Sequence, residues 1–430
     1  MPMLRALIGL AAAATFVTAS IAAPRDDRVA ALASQQKQAF LDDLRDFVNI
    51  ESGSRDREGL DKLSDLVAAK FRALGAQVEL IEPGSAASPD VYRMADTPEH
   101  IGRMVRATFK GTGTARVMLI AHMDTVYLRG MLAKQPFRVE GGKAWGLGIA
   151  DDKQGIAVIL HAMSMLKELG FRDYGTVTVV INGDEEISSP GSRAMFQKLA
   201  AENDFVLSHE GTGITEDKLS LATAGIGSVN LHVKGRASHA GSAPEQGVNA
   251  LYELAHQVLQ MRDLSDPATG LKMNWTLAQA GTNRNVIPAD ASATADVRVV
   301  KVADFDRIQA ALQERIQNRL LPAAKVEASF ERRRPPLESN PASLALARHA
   351  QEVYAELGRK LVADDRVAGG GTDAAFAGLP GTAGVVERFG LQGYGAHSGD
   401  AEYVLVDSIE PRLYLVTRLI MDMSKGVLHR

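Results

Sequence analysis

The sequence predicts an α/β fold: a unit on a mostly parallel central sheet, with a ferredoxin-like βαββαβ unit inserted into it. Three observations predict it. Residues 117–121 and 176–181 are continuous apolar or β-branched runs, as in strands buried on both faces, and stretches of helical periodicity follow them. From residue 228 the pattern changes to strand, helix, strand, strand, helix, strand. After Pro335-Pro336 the first pattern resumes. With 430 residues the chain is longer than one core usually holds.

In chain order, residues 1–22 have the form of a secretory signal: a short positive start, an apolar stretch over 6–17 and small residues Ser20-Ile21-Ala22 before Pro24. Helical spacing covers 35–47 and 60–74, the latter with Leu60, Leu63, Val67, Phe71 and Leu74 on one face. Strands are expected at 78–81, 104–109, 117–121, 176–181 and 205–207. Helices are expected at 153–169, ended by Gly170, and at 192–201. In the inserted unit, strands fall at 228–233, 275–278, 291–300 and 326–330, with helices at 248–261 and 303–320. Ser292, Thr294, Asp296 and Arg298 alternate as on a sheet with one solvent face. Residues 342–357 and 412–423 read as helices and 385–388 as a strand. The expected division is a signal at 1–22, a main unit at 24–223 and 336–430, which the resemblance described below makes the catalytic domain, and an inserted unit at 224–335, which it makes the lid.

Composition narrows the function. The formal charge is −4 and the only basic cluster is Arg332-Arg333-Arg334, which excludes a nucleic-acid binder of the basic-stripe kind. No apolar run is long enough for a typical membrane span, so no membrane association is expected once the signal is removed. The chain has no cysteine, which excludes thiolate zinc ligands and a cysteine nucleophile. Export without disulfides fits a periplasmic or secreted protein with a large core.

Five residues of metal-ligand type sit where strands end or strand-to-helix loops begin: His122 (AHMDTVY), Asp151 (GIADDKQG), Glu186 (NGDEEISS), Glu210 (LSHEGT) and His397 (GAHSGD). In parallel sheets such loops gather at one edge. Hard carboxylates mixed with imidazoles suit zinc or a similar divalent ion, and five donors suffice for two. Asp124 lies two residues after His122 and could fix its tautomer. At Asp151-Asp152 one carboxylate could ligate while the other caps the helix. His209 and Glu210 are adjacent, and local sequence does not choose between them. Glu185, directly before a ligand, could act as a base.

Together HMDTVY, GIADDK, GDEEISSPGSR, GRASHAG, ADVR, GGGTDAA and the His-Ser...Asp-Ala-Glu-Tyr-Val segment resemble the co-catalytic zinc exopeptidases of the aminoacylase and carboxypeptidase group. Within it the chain is most similar to bacterial glutamate carboxypeptidases of the carboxypeptidase G type, from about residue 47 to 423. The resemblance implies two zinc ions per subunit, one held by His122 and Glu210, the other by Glu186 and His397, with Asp151 bridging. It implies that Asp124 orients His122, that Glu185 is the general base, that the Asp151–Asp152 peptide is cis, and that the inserted unit is a dimerisation lid of a homodimer. It matches His239 to a lid histidine that stabilises an oxyanion in the partner's site. Asn285, Arg298 and Arg334 match substrate-contacting residues, with Lys218 a weaker match. The Gly370 and Gly371 amides could meet a substrate carboxylate. From the residues alone, Arg298 could equally pair with Asp296, and Arg334 could be solvated beside its neighbours. Ala396 departs from the pattern, because an aromatic residue is expected beside the zinc histidine.

The activity so implied is removal of C-terminal glutamate from N-acyl or peptidyl small-molecule substrates, folates included. A broader aminoacylase or dipeptidase is the alternative, and a non-catalytic peptide-binding protein a second.

Overall fold

The computed structural model describes residues 24–428; the signal expected at 1–22 lies outside them. Asp26 caps the first helix, accepting from the N–H groups of Arg28 and Val29, so the helix runs over Asp27–Val48 and begins well before residue 35. The second, Arg57–Leu74, ends at Gly75 in the left-handed conformation.

Six strands form the central sheet in the order Gln77–Ile81, Met104–Lys110, Thr176–Asn182, Arg116–His122, Phe205–Ser208, Gly384–Val386. The last four are mutually parallel, and Met104–Lys110 runs against them. The helices Asp27–Val48, Gln154–Glu168 and Ile409–Ser424 contribute Phe40, Ile156 and Leu413 to the main core. Arg193–Glu202 and Ala374–Gly378 close a second core with Phe196 and Phe376. Register then decides where the loops go. His122 lies opposite Asn182, and Ile120 opposite Ser208. The segments carrying Glu185, Glu186 and Glu210 therefore leave the same edge of the sheet beside His122.

The inserted unit forms an antiparallel sheet in the order Lys272–Ala280, Asp290–Val299, Gly225–Lys234, Lys325–Arg334. Val229, Leu254, Ala295 and Ile308 belong to its separate apolar core. This is the expected βαββαβ arrangement, with helices Ala250–Gln260 and Ala303–Arg315. Arg193 ties the two units together by donating to the carbonyls of Arg332 (3.3 Å) and Arg333 (2.7 Å). Among the described residues no helix is long and apolar enough to cross a membrane.

The closing helix carries a fully buried cation. Arg412 is paired with Asp217 and lies over the Tyr354 ring, 5.6 Å from its centroid. Replacing Arg412 with alanine leaves the Asp217 carboxylate with the Tyr354 hydroxyl but no cation. A loss of about 3–5 kcal/mol is expected, read as a lower urea midpoint at unchanged slope.

Candidate metal centre and active site

His122 ends its strand with the ring buried. Its Nδ1 lies 3.1 Å from the Asp124 backbone carbonyl and 3.4 Å from Asp124 Oδ1. A proton on Nδ1 leaves the Nε2 lone pair facing Asp151 Oδ1 at 3.0 Å. Asp124 does more than orient this ring. Its carboxylate accepts from the N–H groups of Glu185 and Glu186, each at 3.0 Å, and from Ser54 Oγ at 2.8 Å. One buried carboxylate thus fixes both the imidazole and the acidic loop.

Asp151 stands between two imidazoles. Its Oδ2 is 3.2 Å from His397 Nε2, which is also 3.2 Å from Glu186 Oε2. Donor atoms of Asp151, Glu186 and His397 all lie within 4.8 Å of one another. The Asp151–Asp152 peptide is cis. The expected carboxylate cap on the following helix is absent, and Asp152 faces elsewhere. Its buried carboxylate accepts from Gln154 Nε2 at 2.7 Å and from the His122 N–H at 3.3 Å, because the loop turns that side chain inward. His397 has φ 65°, a left-handed conformation uncommon outside glycine.

Burial separates His209 from Glu210. His209 is buried, its ring centroid 6.0 Å from that of Phe389, and desolvation pushes its imidazole down to about 3. Glu210 instead enters a cavity of about 510 Å³ that Asp151, Glu185, Glu186 and His397 also line. Glu185 is buried there.

The electrostatics fit a divalent-metal site. Burial raises the Glu210 carboxyl well above its usual range, helped by Glu387, Glu185 and Asp151. Burial likewise pushes Glu186 up to about 7, although His397 pulls it down. Burial would raise Asp151 too, but His122 and His397 overcome it and hold that carboxyl below its usual range. His397 is drawn up to about 10 by its hydrogen bonds to Asp151 and Glu186. Glu186 Oε1 is buried without a hydrogen-bond partner. Crowded carboxylates and an orphaned anionic oxygen are costly unless a cation satisfies them, and a mixed imidazole–carboxylate donor set suits zinc.

The residues matched to substrate contacts are distributed differently. Arg334 is 3% exposed. Its Nη1 donates to Glu185 Oε1 and its Nη2 to the Glu185 carbonyl at 2.6 Å. Gly371 has no room for a side chain, since a Cβ would lie 2.4 Å from Arg334 Cδ. Gly370 and Gly371 line the cavity with Ala396. Arg298 is held by Asp296 through Nε (3.0 Å) and Nη2 (3.1 Å) and donates to the Gly369 carbonyl. Lys218 pairs with Asp364 at 2.7 Å. His239 and Asn285 share an exposed edge of the inserted unit outside this cavity, where Ala240 N–H donates to the Asn285 carbonyl at 2.9 Å.

Sequence reading missed Glu402, the residue that shapes the Asp151 loop. Its buried carboxylate accepts from Gly148 and Ala150 N–H at 2.8 Å, Asp151 N–H at 3.2 Å and Tyr127 O–H at 2.5 Å. Burial pushes it up to about 7 against the pull of Tyr127 and the backbone donors. Glutamine there would turn an amide donor toward backbone donors. Glu402→Gln is expected to weaken metal binding about 10–100-fold, measured by competition with a chelator of known affinity.

A buried glutamate beside a cluster of imidazoles and carboxylates, on this two-unit fold, fits a metal-dependent hydrolase. The chain belongs to peptidase family M20/M25/M40, which it matches over residues 118–422. It is 44% identical over 423 residues to carboxypeptidase G2 of Pseudomonas sp. (strain RS-16), covering 98% of each chain. Among solved structures it is similar to aminopeptidase PepT of Bacillus cereus ATCC 10987, with TM-score 0.71 and 20% identity, covering 90% of this chain and 98% of that one. It is also similar to an M20 family metallo-carboxypeptidase, Sso-CP2, of Sulfolobus solfataricus, with TM-score 0.68 and 16% identity, covering 90% and 99%.

Proposed function

We propose that this chain is a zinc-dependent carboxypeptidase that hydrolyses the amide bond before a C-terminal glutamate in N-acyl or peptidyl substrates, folates included. The observation that carries the reading is Asp151 set between His122 and His397, with Glu185 on the same cavity. Similarity to carboxypeptidase G2 over nearly its whole length supports the substrate class. His122 and Glu210 would hold one ion and Glu186 and His397 the other, with Asp151 the residue between the two pairs. Bound there, zinc supplies polarisation of the scissile carbonyl and acidification of a water.

The remaining work falls to the side chains. Arg334 occupies Glu185 Oε1, so Oε2 is the oxygen that takes the water's proton and returns it to the leaving amine. His239 Nδ1 accepts from the N–H groups of Gly241 and Ser242 at 3.1 Å. The neutral ring then carries its proton on Nε2, the tautomer that donates to an oxyanion. In a homodimer whose lid, residues 224–335, reaches across, His239 and Asn285 serve the second copy's site. The catalytic domain comprises residues 24–223 and 336–430, and export on residues 1–22 places the enzyme in the periplasm or outside the cell.

One observation favours a broader N-acyl amino acid hydrolase or dipeptidase: Arg298 and Arg334 are both engaged by acids of the chain itself. An equal mixture of N-acyl amino acids, folate included, decides. Dominant release of free glutamate, abolished by chelation, is the expected result. Broad release of neutral amino acids would move the assignment to the aminoacylase reading.

A further inference from the structure

Two arginines line the cavity that holds the donor cluster, and their situations differ. Arg334 is committed to Glu185. Arg388 has no carboxylate on its guanidinium among the described residues. Its Nη1 donates to the Gly211 carbonyl at 2.7 Å, one residue beyond Glu210, and its Nε is buried without a hydrogen-bond partner. A buried, unpaired guanidinium N–H is costly, and a bound acceptor recovers that cost.

The backbone holds this side chain at a fixed origin. Arg388 follows the strand Gly384–Val386 with φ 76°, a conformation rare outside glycine. Its N–H donates to Glu387 Oε1 at 2.7 Å, and its carbonyl accepts from the buried Arg412 at 3.1 Å. The other charged groups of the cavity are Asp151, Glu185, Glu186, Glu210, Arg334 and His397, and each belongs to the donor cluster, the base or the base's partner. Arg388 is the cation left over. A guanidinium anchored through Nη1 can still offer Nε and Nη2 side-on to a planar carboxylate.

We propose that Arg388 receives a carboxylate of the amino acid released by amide hydrolysis and thereby sets which terminal residue is accepted. This rests on the amide-hydrolase reading above, though not on its glutamate preference. The released residue offers an α-carboxylate and, if it is glutamate, a side-chain carboxylate.

The test compares zinc-loaded wild type, Arg388→Met and Arg388→Lys on N-acetylglutamate, N-acetylglutamine and N-acetylisoglutamine, whose α-carboxylate is amidated. The ratio of two kcat/KM values in one sample cancels the active fraction, so partial loss of metal or folding in a variant does not mask the effect. In Arg388→Met the glutamate-to-glutamine ratio falls about 10–100-fold if the side-chain carboxylate is bound. The glutamate-to-isoglutamine ratio falls instead if the α-carboxylate is bound. The change lies mainly in KM, and Arg388→Lys recovers part of it. Neither ratio moving beyond about twofold would overturn the proposal. Calorimetric binding of free glutamate gives a readout without turnover. Its Kd is expected to rise about tenfold in Arg388→Met, and an unchanged Kd overturns the proposal even if the wild type hydrolyses none of the three substrates.

Discussion

Glu185→Gln is expected to lower kcat by about 10²–10⁴-fold while the protein keeps its full metal content. Three observations lead there. Glu185 lines the cavity with the donor cluster but is not itself among the grouped donors Asp151, Glu186 and His397. Its backbone N–H is fixed by Asp124, and its Oε1 is taken by Arg334. The side chain is therefore aimed and held, with one oxygen free to move a proton. Glutamine keeps the shape and removes the basicity. Alanine is a poorer test, because it also removes the acceptor of Arg334 Nη1 and the packing of the buried side chain. Metal analysis beside steady-state kinetics checks the expectation. Substantial turnover in a metal-replete Glu185→Gln protein would remove Glu185 from the proton-transfer role.

Asp151→Asn is expected to abolish activity and to uncouple zinc from stability. Asp151 faces His122 with one oxygen and His397 with the other, so it belongs to both halves of the donor set. Asparagine retains a single acceptor oxygen and no charge. In the wild type, zinc at about 100-fold over its Kd is expected to stabilise the fold by about 2.7 kcal/mol per site, and chelation to reverse this with loss of turnover. Thermal unfolding with and without chelator is the check. The wild type is expected to lose several degrees on chelation and the variant little. An equal shift in both would show that the ions bind without Asp151.

Much of this site was legible because strand ends are easy to find. The apolar run before His122 and the β-branched run before Asp184-Glu185-Glu186 mark strands buried on both faces, and a parallel sheet brings their carboxyl ends together. Asp151 and His397 were readable from glycine-rich loops, although their meeting needed the resemblance. The five-stranded sheet of Arg138–Glu140, Lys143–Trp145, Tyr403–Leu405, Gln392–Tyr394 and Thr212–Gly213 was not legible, because strands of two or three residues carry no period. Glu402 was hidden for a related reason. It meets the Asp151 loop from about 250 positions away, and nothing local separates it from a surface acid. The arginines divide the same way. Arg298 and Asp296 lie two apart on one strand and pair as their spacing allows. The Arg334–Glu185 contact spans 149 positions and belongs to the fold alone.

The most direct measurement is zinc titration of metal-free protein, following bound metal and release of glutamate from N-acetylglutamate in the same samples. Activity absent at the start and reaching its plateau at two bound ions per subunit is the expected result. Turnover in the metal-free protein, or a plateau with no metal bound, would contradict a metal-dependent hydrolase centred on Asp151.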